Sequence, residues 1–218
     1  MVESLKLMPG LIDASELYQR LEKLDLLKDK PYMWWPLYGS FEVLVGAILT
    51  QNSQWARVEV SLKNLEVYLS IDALCSIEEE ELQTLIKPSG LFKTKAKYIK
   101  LLAQAIKDEY GTFEKFCSEV TREWLLSQKG IGPESADSIL CYGCQKEEMV
   151  VDAYTHRLLN EFGYEFGSYG ELKDWCVQGL SALTKVEDPA KIYALFHGMI
   201  VEYVKLHSKN KKVDIGVL

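Results

Sequence analysis

Apolar residues recur every third or fourth position along nearly the whole of this chain, and that rhythm leaves room for little but helices. Leu17, Leu21, Leu24 and Leu27 form one stripe, and Phe41, Leu44, Val45 and Ile48 another. No run alternates convincingly at the two-residue period of a half-buried strand, so the expected fold is all-α. The spacing predicts helices over 15–27 and 40–49, and from the Thr50-Gln51-Asn52-Ser53 cap through 69. Further helices are expected over 78–86, 93–110, 112–117, 119–127, 169–184 and 188–208. Two prolines make residues 30–36 (KPYMWWP) a stiff aromatic linker instead. At 218 residues, 48% of them apolar and 26% charged, the chain has core enough for one or two globular domains.

The stretch that organises the rest runs from Arg122 to Arg157. Within it Gln128-Lys129-Gly130-Ile131-Gly132 must turn sharply, and both glycines are expected to accept positive φ. Pro133 suits a first helical position, where its missing N–H is no loss. Ala136, Ile139, Leu140 and Gly143 follow on one helical face. A hairpin feeding a helix in this way bares backbone N–H groups at a positive dipole end, a seat for a phosphate. A plain tight turn between packed helices would have the same sequence. Further on, Asp152 follows Val150 and Val151 and opens another helix through Leu158, Leu159 and Phe162, for which it is a natural N-cap.

Composition narrows the function classes. The longest apolar run, 43–49, is far too short to cross a bilayer. The opening MVESLKLMPG lacks the order of a secretion signal. Five cysteines at uneven spacings read as free thiols in a reducing cytoplasm, and the Cys141–Cys144 pair lacks the partners of a metal site. A net charge of −7 argues against a nonspecific polyanion binder. A local basic face can still be assembled from Lys93, Lys95, Lys97, Lys100 and Lys129, with Lys205, Lys209, Lys211 and Lys212 near the C-terminus. A monomer is the default expectation.

Leu126, Gly130, Ile131, Gly132, Ser135 and Ala136, followed by Val151, Asp152, Thr155 and Arg157, resemble two linked motifs of the helix-hairpin-helix DNA glycosylase superfamily, the endonuclease III group. Leu49-Thr50-Gln51-Asn52-Ser53 is similar to a third segment, whose glutamine enters the gap left by an extruded base. The resemblance implies a helical barrel over 40–142 ending in the hairpin. It further implies a second helical domain built from 1–39 plus 143–218, and an active-site cleft between the two. Asp152 becomes the catalytic carboxylate, with Glu134 at the rim. Gln51, Asn52, Lys129, Gly130, Ile131, Gly132, Lys93 and Lys95 become the DNA-binding set. Two departures are informative. Bifunctional members carry a lysine two residues after the second hairpin glycine, where this chain has Glu134, so no imine and no strand cleavage are expected. Relatives with an iron–sulfur cluster hold it with four C-terminal cysteines, whereas only Cys176 follows Asp152, so no cofactor is expected.

Trp34, Trp35 and Trp55 are candidates for the base pocket, since an extruded base needs aromatic faces to rest on. Such walls suit an electron-poor, cationic base. With the WWP linker and the hairpin taken together, the chain looks like the 3-methyladenine DNA glycosylase III branch. The expected function is hydrolysis of the N-glycosidic bond of alkylated purines, chiefly 3-methyladenine, in double-stranded DNA. The alternatives are a glycosylase for another damaged or mismatched base, or a noncatalytic DNA-binding module. Lys205, in the last helix, is a further possible site residue.

Overall fold

The computed structural model describes residues 13–218. Residues 1–12, which include the opening MVESLKLMPG read above as lacking the order of a secretion signal, lie outside that range. The described chain divides into two compact units, one made of 13–30 with Val151–Leu218 and the other of Pro31–Val150. Both are helical. The boundaries fall several residues away from 39/40 and 142/143, because the tryptophan linker is bonded into the second of these units. There the Gly39 N–H donates to the Tyr142 carbonyl at 2.8 Å.

In the first unit, α1 (Ala14–Glu22) starts where the Asp13 side chain accepts the Glu16 N–H. It buries Leu17, Tyr18 and Leu21. It stops well short of Leu27, since Asp25 takes a left-handed φ of 52° and the chain continues as turns.

The Pro31–Val150 unit is built around α2 (Glu42–Leu49), in which every residue from Val43 to Leu49 is buried. A helix apolar all round belongs at a core centre. Around it lie α3 (Trp55–Asn64), α4 (Ile71–Ser76), α5 (Glu79–Leu85) and α6 (Phe92–Glu109). They are followed by α7 (Phe113–Glu119), α8 (Arg122–Ser127) and α9 (Pro133–Ser138). α4 goes unseen in the sequence because it is one short turn-and-a-half, capped by Ser70. α9 passes into a π-turn over Ile139–Gly143, where the Cys144 N–H reaches back to the Ile139 carbonyl. All of 135–143 is buried, a whole segment rather than one face.

Lys95 and Lys100 correct the expectation of a lysine-rich phosphate face on α6. Lys95 is only 1% exposed. Its Nζ donates to the carbonyls of Leu49 (2.7 Å) and Ser89 (2.8 Å), closing the C-terminal end of α2. Burial lowers its pKa to about 8. Lys100 likewise donates to the carbonyls of Leu74, Cys75 and Ile77 at the end of α4. Lys93 and Lys97 remain exposed.

The first unit resumes with α10 (Ala153–Glu161), α11 (Tyr169–Leu180) and the 19-residue α12 (Pro189–His207). α12 buries most of its length, from Ala190 to Val204. α1 and α11 approach closely at Gly179, where an added Cβ would lie 2.5 Å from the Ala14 nitrogen. The chain ends in a small antiparallel hairpin, β1 (Ser208–Lys209) with β2 (Lys212–Val213). Asn210 and Lys211 both take positive φ in its turn, as a two-residue hairpin requires.

Candidate active site

Asp152 is the N-cap of α10, anchored by the fully buried Val150 and Val151 before it. Its Oδ1 accepts the N–H groups of Tyr154 and Thr155, each at 2.9 Å, and the Thr155 hydroxyl at 3.1 Å. Thr155 completes a capping box, its Oγ1 accepting the Asp152 N–H. The other oxygen, Oδ2, lies 3.4 Å from His197 Nε2 on α12. The side chain is enclosed but not sealed, with 12% of it exposed. Burial pushes the carboxyl pKa up. His197 and the Thr155 donors more than offset this and hold it below the ordinary aspartate range. The result is a carboxylate that stays ionised. Three donors fill Oδ1, so Oδ2 keeps the remaining acceptor capacity.

In the other unit, the sequence-predicted tryptophans come together with a residue the sequence reading missed. Trp35 stacks at a tilt on Tyr142 (5.0 Å) and meets the edge of Trp55 (5.6 Å). Trp34 touches both Trp35 (6.0 Å) and Tyr142 (5.8 Å). The π-turn after α9 delivers Tyr142 to this group, and no local signal marks it. Trp35 is only 7% exposed and is wedged against Gly46 of α2. It is therefore the supporting floor rather than an open pocket wall. Trp34 and Trp55 keep part of their surface exposed. Met33, Trp34 and Leu37 all sit at left-handed φ (58°, 70° and 56°). Bulky residues hold that conformation only where surrounding packing enforces it.

The hairpin is real but differs in detail. Gly130 has φ of 87°, and a Cβ there would drive into the Tyr98 ring at 2.1 Å. Gly132 is extended (φ −94°) with open space beside it, so only the first glycine needs a left-handed turn. Gly132 caps α9 with no side-chain bond, and Pro133 takes the first turn. Ile131 is buried and its N–H is bound to the Gln128 carbonyl, so it supports the turn from within. Lys129, Glu134 and Asn52 are exposed. Gln51 does not stand out as a wedge. Its Nε2 donates to the Gly130 carbonyl (2.9 Å) and Ser135 Oγ (3.0 Å), tying the loop after α2 to the hairpin. Across the motif, Arg122 Nε on α8 donates to the fully buried Asp137 carboxylate on α9 at 2.6 Å. Lys205 is exposed and pairs with Glu202 at 3.2 Å, which also takes Lys30 at 2.6 Å.

A family profile, that of HhH-GPD superfamily base excision DNA repair proteins, matches residues 45–168. A putative DNA repair glycosylase of Methanocaldococcus jannaschii is 36% identical over 82% of each chain. The chain belongs to the HhH-GPD superfamily and is a DNA glycosylase. A crystal structure of the H. pylori 3-methyladenine DNA glycosylase bound to 1,N6-ethenoadenine has a TM-score of 0.86 at 42% identity. The match covers 91% of this chain and all of that one. A trapped endonuclease III–DNA covalent intermediate shares the fold, with a TM-score of 0.70 at 20% identity over 94% of this chain and 92% of that one. DNA is the macromolecular partner of this family.

Some HhH-GPD proteins carry an iron–sulfur cluster, whose donor set is four thiolates. This chain does not offer it. Cys176 alone follows Asp152, and it is buried with its thiol pKa pushed up by desolvation. Among the described residues no three His, Cys, Asp or Glu side chains are gathered to hold a metal ion. No helix among them is long and apolar enough to cross a membrane. His197 is the other site residue that sequence reasoning passed over. A polar ring inside the apolar run of α12 was its only trace.

Proposed function

We propose that this DNA glycosylase is monofunctional and hydrolyses the N-glycosidic bond of alkylated purines, chiefly 3-methyladenine, in duplex DNA. The observation that carries this reading is the aromatic group in which Trp34 and Trp55 keep surface exposed while the buried Trp35 and Tyr142 support them, so that it presents rings more than hydrogen-bonding groups. A neutral damaged base is told from its parent by hydrogen bonds. A methylated, cationic one is told by charge, and π faces attract cations. The H. pylori relative, named for 3-methyladenine and bound to an ethenoadenine, supports the same substrate class.

Alkylation has already weakened the bond to be broken. When the C1′–N bond cleaves, its electron pair leaves with the base, which becomes neutral, and the sugar becomes oxocarbenium-like. Asp152 supplies the opposing charge and orients the water that attacks C1′; as the C1′–O bond forms, the proton lost by that water passes to the carboxylate and from there to solvent. Glu134, at the position of the lysine in strand-cleaving members, has no amine with which to form an imine. The exposed Lys129 and the open backbone at Gly132 are suited to phosphate, a contact that positions the duplex without reading it.

Incubation with methylated duplex DNA, followed by chromatography of the released bases, tests this. Free 3-methyladenine with uncut strands is expected, and ethenoadenine-containing duplex is the second substrate to try. A protein–DNA adduct trapped by borohydride overturns monofunctionality. Duplex binding with no base released from any damaged substrate overturns the catalytic reading in favour of a binding module.

A further inference from the structure

We propose that His197 is a positioning residue for the Asp152 carboxylate, aligning and electrostatically stabilising the oxygen that faces the reaction. The inference rests on the reading of Asp152 as the reacting carboxylate, and it concerns how that group is kept ionised inside protein.

The two carboxylate oxygens are unequal. Oδ1 is consumed by the helix it caps, taking three donors from Tyr154 and Thr155. An ordinary N-cap needs nothing more. Oδ2 is the only oxygen left to meet a sugar cation or a water, and His197 Nε2 stands 3.4 Å from it. That contact is longer than a well-formed N–H···O bond, so it draws on charge as much as on hydrogen bonding and can tighten as the reaction proceeds.

His197 is itself 4% exposed, near the middle of the buried face of α12, where an aliphatic residue would pack at no desolvation cost. α12 packs directly on α10. β2 also packs on α10, and its Val213 N–H reaches Glu161 at the opposite end of that helix. Thr155, whose hydroxyl donates to the same carboxylate, is neutral. His197 is thus the side chain set against Oδ2, where its ring N–H faces the carboxylate oxygen that the helix cap leaves over.

The test uses the intact protein with a neutral donor and an apolar residue at the same place, H197Q and H197L. Amide NMR spectra establish that each variant is folded. Carbon-13 NMR of the Asp152 carboxyl should give a midpoint that rises from wild type to H197Q and further to H197L. Single-turnover excision should fall in the same order, with H197L slower on the order of 100-fold, while binding to duplex with a stable abasic analogue stays unchanged. The partial rescue by glutamine separates a donor role from mere packing. An unmoved carboxyl midpoint in either folded variant overturns the proposal, as does full excision by H197L. If the midpoint moves as stated but the wild type releases no base, the pairing stands and the catalytic reading of Asp152 falls.

Discussion

At the scale of single residues, Asp152 caps α10 and is also the carboxylate proposed for the chemistry, and substitutions can separate the two roles. Asparagine caps a helix nearly as well as aspartate. Asp152→Asn should therefore leave the melting temperature close to wild type while abolishing base release. Asp152→Ala should lose the cap too, at a cost of about 1 kcal/mol in chemical denaturation. Substantial excision by Asp152→Asn would remove the carboxylate from its role. Its lowered pKa fixes a sign as well. A carboxyl whose folded pKa lies below its unfolded value contributes stability above the unfolded pKa, and that contribution is lost as pH falls through the folded one. The wild-type excision profile should accordingly show no acid limb from Asp152 at or above the ordinary aspartate pKa of 3.8. Rates measured from pH 5 upward check this directly.

At the scale of elements, the two hairpin glycines do different work. Gly130→Ala faces both a left-handed φ and the Tyr98 ring, so it should destabilise the protein and loosen the turn. Gly132→Ala has room and an extended backbone, so thermal stability should hold. DNA affinity should instead drop alike for every sequence, because a methyl group would stand where a phosphate is proposed to approach. Equal melting temperatures for the two variants would contradict this division. The pairing of α8 with α9 rests on Arg122 and the fully buried Asp137. Arg122→Ala takes the guanidinium away from that buried carboxylate and should cost roughly 3–5 kcal/mol of unfolding free energy. A loss under about 1 kcal/mol would place the pair among weak surface contacts.

At the scale of the whole molecule, a protein of net charge −7 must hold a polyanion through few contacts. Lys95 and Lys100 are spent on carbonyls, leaving Lys93, Lys97 and Lys129 exposed on the elements beside the hairpin. Three phosphate contacts imply a log–log dependence of duplex affinity on salt with a slope of roughly −3, at about −0.9 per phosphate neutralised. A slope of about −6 or steeper would mean that other cations carry the binding. The helical fold, the hairpin, the N-cap aspartate and the tryptophan-bearing linker were legible in the sequence. Each is written in neighbours along the chain, in apolar period, glycine placement and capping chemistry, and the forces behind them act within a turn or two. What the tertiary structure decided was where long side chains end. Lys95 turned inward, Gln51 bonded to the hairpin, Tyr142 delivered to the tryptophans and His197 set against Asp152 all join residues distant in sequence. Those meetings depend on which helices pack together, and no spacing within one segment encodes that.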